Sequence, residues 1–587
     1  MPLFDLHSHF SFKPANSRAF GDNAIPDPDH WRERFKRKSD WRPLVAALDK
    51  EVVKSSQLHG DAATAGGFRV IVNGLYPLEH GFTSKLLNGS LAMLTGFAKE
   101  VLDELYEHRR SYFSYLEREY HNLIAGQRLT RFSARGNRYK VVDSYSELEA
   151  AHQADPDTIC IVNSIEGAHA FADLLRDKQG RPIDVHHEEA RFVRRTGVRG
   201  RDSWFELHIE ALLANIDRVK TNWEHTPLFV TFAHHYYNHL CGIAPSLTHL
   251  VAITNPQQGG APREQGYDTR YFDLGIRRWG RKVLARLIDR RSGSDHPVRR
   301  ILIDTKHMSP QARLEYYEIV DQRRKYFNDQ IPIVASHTAV NGRKSLRRTI
   351  ENNRSSGSDF DLHPDDQGGH GYFYNGVIGL FDDEIERIVA SDGIIGMMID
   401  ERRIIGQALP PEAGLAKARF DEITQQNRAH MRAWTRAKQR HAWGELSDAA
   451  LAQELALIDA AAKPLLDELR PAYLSVIFRQ LFHIVSLPGV GRKGWDHVAL
   501  GTDYDGVINP IDIYRQSSDM RTLKDDLVSF WKDRLIDPGA RVRDLYASAL
   551  FGERPEHWIE KLLWSNGMDF LRKYFNDDYL LHGQPVT

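Results

Sequence analysis

The chain has 587 residues, of which 41% are hydrophobic, and a formal net charge of −1. That is ample apolar material for a large core, and the balanced charge argues against general nucleic-acid binding, which shows a basic excess. Two cysteines leave no disulfide framework and no CxxC metal site, and the absence of a long apolar run or targeting segment predicts a cytoplasmic protein with no membrane partner.

Residues 2–6 predict a first strand that runs into His7-Ser8-His9. Residues i and i+2 of a strand share a face, so both imidazoles project from its carboxyl end. Residues 10–65 carry aromatic and charged patches, including the basic run Arg34 to Lys38, without a clear strand. A second strand is predicted at 68–72, followed by helical spacing within 85–135, and a third at 158–162 leads to Asn163-Ser-Ile-Glu166. Residues 181–225 read as largely helical, with a solvated basic face at Arg191 to Arg201. The fourth strand, 228–232, precedes Ala233-His234-His235, and residues 255–295 again read as helical. Strands at 301–303 and 331–334 lead to Asp304-Thr-Lys-His307 and Ala335-Ser-His337. An Asn-, Ser- and Gly-rich stretch, 352–374, predicts a long loop before a strand at 393–399. Residues 410–480 predict two long helices, and the last strand, 497–500, ends at Gly501-Thr-Asp503-Tyr-Asp505-Gly506.

Eight apolar runs alternating with helices predict one (β/α)8 barrel over residues 1–587, with largely helical insertions. Barrel sites form at the carboxyl ends of strands. His7, His9, Glu166, His307, His337 and Asp503 therefore converge on one mouth. Four imidazoles and two carboxylates suffice for two divalent ions, with zinc the best match. Glu166 is the natural bridge, a water between the ions becomes the nucleophile, and Asp503 handles its proton. Lys306 is a second candidate bridge as a carboxylated lysine, but on a strand it would point away from His307. His169, His235, His239 and His249 fit strand ends less well and are read as structural.

The segments Ser164-Ile-Glu166-Gly-Ala-His, Thr231-Phe-Ala-His234, Asp304-Thr-Lys-His307-Met-Ser, Ser336-His337-Thr-Ala and Gly501-Thr-Asp503-Tyr-Asp-Gly506 resemble, in order, the signatures of the membrane (renal) dipeptidase family, peptidase family M19. The resemblance implies a barrel of the amidohydrolase superfamily with two zinc ions and a dipeptide substrate. His7 and His9 would bind one ion and His307 with His337 the other, bridged by Glu166. Asp503 would shuttle a proton and contact the substrate amine. It further implies that His234 polarises the scissile carbonyl and that Arg348, beside Arg347, holds the substrate carboxylate. Family members often pair, so a homodimer is expected.

Two departures are visible. The family has HxD where this chain has His7-Ser8-His9, which keeps a ligand but removes a negative charge. The chain is also far longer than a compact barrel, and its insertions are placed to narrow or lid the pocket. These departures motivate an alternative substrate, a cyclic amide, lactone or specialised metabolite, and behind it a non-catalytic binding scaffold.

Overall fold

The predicted apolar runs pair side by side as a parallel sheet. The computed structural model describes residues 1–16, 27, 29–31, 33, 56–83, 97–128, 138–174, 203–246, 274–356 and 371–586. Its strands are β1 (Leu3–Ser8), β2 (Phe68–Leu75), β3 (Tyr139–Val142), β4 (Ile159–Glu166), β5 (Phe229–Thr231), β6 (Leu302–Asp304), β7 (Val334–Thr338), β8 (Ile394–Met397) and β9 (Val498–Leu500). The order is β1-β2-β4-β5-β6-β7-β8-β9, with every pairing parallel. This is the nearly closed eight-strand ring of a (β/α)8 barrel with helical insertions. Strands such as β1 and β4 are buried along their whole length, which explains why they read as continuous apolar runs.

The two ends of the ring meet beyond the strands proper. Asp503 N–H donates to the His7 carbonyl and His9 N–H to the Tyr504 carbonyl, each at 2.8 Å. Asp5, wholly buried on β1, accepts from the Thr502 N–H at 2.9 Å and from its hydroxyl at 2.6 Å. The segment that supplies His7 and His9 is thus also the seam that closes the barrel.

Two expectations shift. The short β3 has no counterpart among the predicted runs, and it fills the amino-terminal part of the β4 edge that β5 leaves open. The strand predicted at 331–334 begins at Val334 instead, because Pro332 has no N–H to donate to a ladder.

The insertions are helical where they are described. Tyr112–Gln127 lies within 85–135, Ser203–Asn222 within 181–225, and Arg278–Ile288 within 255–295. The predicted loop 352–374 starts later than expected, since 352–356 complete the helix Leu346–Ser356, while 357–370 lie outside the described residues. The basic runs Arg34 to Lys38 and Arg191 to Arg201 also lie outside them. No helix among the described residues is long and apolar enough to cross a membrane.

Residues 410–480 form the helix pair Lys417–Ala442 and Asp448–Ser486. Arg419 pairs with both oxygens of Glu468 across it, at 2.9 and 3.0 Å. Its inner face grips the segments that leave β7, β8 and β9. Gln480 accepts from Val340 N–H at 2.7 Å, Tyr473 donates to Glu401 at 2.7 Å, and Asn427 donates to Asp512 at 2.9 Å.

Burial pushes the Glu401 carboxyl up to about 7, with the Asp512 carboxylate adding to the effect. Between its ordinary range and pH 7, the folded chain keeps a proton there that the unfolded chain has lost. Stability therefore falls as pH rises through that window and stays lowered above it. Glu401→Gln, which still accepts from Tyr473, is expected to be more stable than wild type at pH 8, by up to about 3 kcal/mol. At pH 4 the two should be alike, as thermal unfolding at both pH values will show.

Candidate metal centre

The site begins with β1. His7 and His9 are both buried at the barrel's carboxyl mouth. His9 Nδ1 lies 2.9 Å from the Gly74 carbonyl oxygen. A carbonyl can only accept, so Nδ1 carries the proton and Nε2 turns a lone pair inward. That Nε2 lies 2.9 Å from Glu166 Oε2. A lone pair facing a carboxylate at this distance calls for a positive charge between them, a proton or a metal ion. The approach also requires Gly74, where a Cβ would stand 3.0 Å from His7 Cε1 and 3.2 Å from His9 Cε1.

The far side is built in the same way from β6 and β7. Asp304 accepts from the hydroxyls of Thr231 and Ser336, at 2.8 and 2.6 Å. With its proton on Asp304, Ser336 Oγ is the acceptor for His337 Nδ1–H at 2.8 Å. His337 Nε2 is thereby left as the inward atom, 3.3 Å from His307 Nε2. Two imidazole nitrogens this close need a shared proton or a cation. Burial lowers the affinity of both rings for a second proton, and the other imidazoles and Lys306 lower it further. They are thus neutral, as ligands must be.

Glu166, at the end of β4, lies in the middle. Its carboxylate oxygens lie 3.4 Å from His7 Nε2, 2.9 Å from His9, 3.4 Å from His234, 3.9 Å from His307 and 3.7 Å from His337. Burial alone would raise its pKa, but His234, His9 and His7 outweigh that and hold it well below the usual carboxylate range. Asp503 faces the same space, 3.4 Å from His9 and 3.9 Å from His7 and from His337. His307 and Asp503 both adopt left-handed backbone conformations, φ 65° and 59°. Such conformations are costly for residues with side chains and tend to collect at functional sites.

The donor set fits divalent cations. Three overlapping groups, His7–His9–Glu166, His7–His337–Asp503 and Glu166–His234–His307, each hold their ligand atoms within 4.8 Å of one another. Among the described residues, His7 Nδ1 and Nε2 and His9 Nε2 are buried without a hydrogen-bond partner. Of these, Nε2 of His7 and of His9, which face Glu166, are the atoms a metal would engage.

A cavity of about 470 Å³, counted to its open mouth, leads to the cluster. His9, Glu166, His234, His307 and Asp503 line it, as do Phe12, Ile378 and Met398. Lys306, Arg402 and Arg403 supply its positive charge. Arg402 is committed to Asp400, whereas Arg403 donates to the Ser246 carbonyl and lies over Tyr374. Burial, then the neighbouring Arg403, lowers the Lys306 amine to about 8.

Arg348 stands apart from the cluster. It is exposed on the helix Leu346–Ser356, whose Leu346, Thr349 and Ile350 face inward, and it does not line the cavity. Arg347 is exposed beside it and pairs with Glu318. Lys306, for which strand alternation predicts the side away from His307, lines the same cavity as His307. β6 stops at Asp304, so strand alternation no longer applies at 305–307.

His235, read as structural from the sequence, lines the cavity and pairs through Nδ1 with Ser246 Oγ at 2.7 Å. His169 is held by the Pro77 carbonyl at 2.9 Å, His239 lies outside this cavity, and His249 is outside the described residues. The sequence reading missed Tyr76 and Glu79. Glu79 is buried against His234, whose charge and hydrogen bond overcome burial and hold its carboxyl at about 2.

Asp304 touches no proposed metal position and acts through Ser336 and His337. Asp304→Asn is expected to keep the fold but weaken divalent-metal affinity by about 10- to 100-fold, read by competition with a chromophoric chelator.

No protein-family model matches the sequence, and no curated protein matches it. Among solved structures, the chain is similar to dipeptidase AC, a metallopeptidase of family M19, at 13% identity over 98% of this chain and 99% of that one, TM-score 0.43. It is similar to a metallopeptidase from Rhodobacter sphaeroides, liganded with a phosphinate mimic of L-Ala-D-Ala, at 14% identity over 98% and 99%, TM-score 0.44. The probable dipeptidase PvdM from Pseudomonas aeruginosa matches at 15% identity over 92% and 93%, TM-score 0.42. Likenesses this remote carry no functional conclusion, which has to come from the chain's own side chains.

Proposed function

We propose that this chain is a binuclear metal-dependent hydrolase that cleaves the amide bond of dipeptides or dipeptide-like molecules. The observation that carries this reading is the Glu166 carboxylate, which has five imidazole Nε2 atoms within 4 Å at the mouth of the barrel. His7 and His9 would hold one divalent ion and His307 with His337 the other, with Glu166 between them and Asp503 beside them. Imidazole and carboxylate donors suit zinc. Bound there, the ions would acidify a water and draw electron density from the scissile carbonyl.

The remaining work falls to side chains. Asp503 lines the cavity, where it can take up a proton and deliver it to the departing amine. His234 Nε2 is directed at the same space and can support negative charge developing on the carbonyl oxygen. Lys306 and Arg403 offer positive charge to a substrate carboxylate, the role that the family resemblance implies for Arg348. Phe12, Ile378 and Met398 offer apolar wall to a side chain.

His9 favours a second reading. An imidazole where the resembling family has a carboxylate makes the centre less negative, which suits a neutral cyclic amide or lactone. Turnover across a panel of dipeptides, including D-configured C-terminal residues, against lactones and cyclic amides will separate the two.

The purified chain is expected to bind about two equivalents of zinc or a similar ion. Chelation or Glu166→Ala should abolish hydrolysis, and activity surviving complete metal removal would overturn the reading. Arg403→Ala is expected to raise KM about 10- to 100-fold for dipeptides with a free carboxylate, the usual worth of a charged hydrogen bond. It should change KM little for the C-terminal amides, as steady-state kinetics on both will show.

A further inference from the structure

Glu79 follows β2 by four residues, in a stretch that no sequence motif marks. It is 3% exposed, and its carboxylate accepts three hydrogen bonds. His234 Nδ1 lies 2.7 Å from Oε2, the Tyr76 hydroxyl donates to the same oxygen at 2.9 Å, and the Tyr236 N–H donates to Oε1 at 2.9 Å. An ionised carboxylate can only accept, so the proton between Glu79 and His234 belongs to Nδ1. The opposite ring nitrogen, Nε2, then faces Glu166 Oε2 at 3.4 Å. Tyr76 packs edge-on against the His234 ring, 4.7 Å between centroids, and limits its rotation.

We propose that Glu79 is a positioning residue for His234. It holds the Nδ1 proton, fixes the ring plane and balances positive charge on the ring, so that Nε2–H is what His234 presents to the substrate carbonyl. The geometry favours this over a purely structural tie between the loops after β2 and β5. A tie of that kind is already supplied by the Tyr236 N–H on Oε1, while Oε2 is given to the imidazole and to the tyrosine that packs on it. A carboxylate on the other nitrogen of a reacting imidazole is a general device for setting its direction and supporting its charge. Only the kinetic arm of the test rests on the hydrolase reading above.

The test uses the metal-loaded full chain with ¹⁵N-labelled histidine. His234→Ala assigns the His234 signals by their loss. Wild type is expected to show a slowly exchanging, low-field Nδ1–H from His234, and Glu79→Gln is expected to lose it. Glu79→Gln should also lower kcat by about 10²-fold or more, in the range of lost acid–base or oxyanion assistance, with KM and metal content unchanged. In the His234→Ala background, Glu79→Gln should cost nothing further, because residues that act as one unit are not additive. Glu79→Asp, which keeps the charge, should recover part of both the signal and kcat, and it serves as the readout if Glu79→Gln fails to fold. A retained Nδ1–H signal in Glu79→Gln, or a full additional loss in the His234→Ala background, would overturn the proposal. If no dipeptide is hydrolysed, the function falls, but the NMR arm still decides the role of Glu79.

Discussion

A carboxylate buried among imidazoles is the constraint around which this barrel is organised. Glu166 is 2% exposed, and an ionised carboxylate in such a place is very costly unless compensating charge and hydrogen bonds surround it. Five histidines from β1, the β5 loop, the β6 loop and β7 do surround it, yet not all of them can be protonated without repelling one another. Burial and their neighbours hold His307 and His337 neutral. His307 and His337 therefore turn lone pairs toward one small volume, as the ligands of a cation do.

The ligands are held by groups that work outward through the sheet. His9 is oriented by the Gly74 carbonyl of β2, and His337 by Ser336 and, through it, Asp304 of β6. Ser11 and Tyr76 converge on buried Glu119, at 2.6 and 2.9 Å. Tyr76 therefore links the His9 side of the centre to Glu79 and His234. Closure and chemistry share the same residues at β1, where Asp5 ties down Thr502 while His7 and His9 bond the backbone around Asp503. Loosening that seam would displace ligands from both sides of the site.

The strands and metal candidates were legible because each combines two signals, an apolar run buried on both faces and a polar residue just past its end. His7, Glu166, His337 and Asp503 all satisfy both. The reading failed where strand periodicity gives out. Lys306 was turned the wrong way because β6 ends two residues before it and His307 is left-handed. The family resemblance points to Arg348, but the helix that begins at Leu346 carries it outward. Glu79 and Arg403 lie on connections whose path is set by tertiary contacts, and no local pattern announces them.

The extra length of the chain acts on the mouth indirectly. The helix Asp448–Ser486 contributes Tyr473, Gln480 and Arg479, which engage Glu401, Val340 N–H and Glu412. Glu401 immediately precedes Arg402 and Arg403, so the positive wall of the cavity is anchored from behind by the helix pair inserted between β8 and β9. Asn427, on the partner helix, holds Asp512 at the far end of the segment that begins with Asp503. Both segments are pinned by side chains that are themselves buried, Tyr473 and Asn427 at 0% exposure. The insertion thus sets where the charges at the entrance stand, because its helices hold the segments that carry Arg402, Arg403 and Asp512.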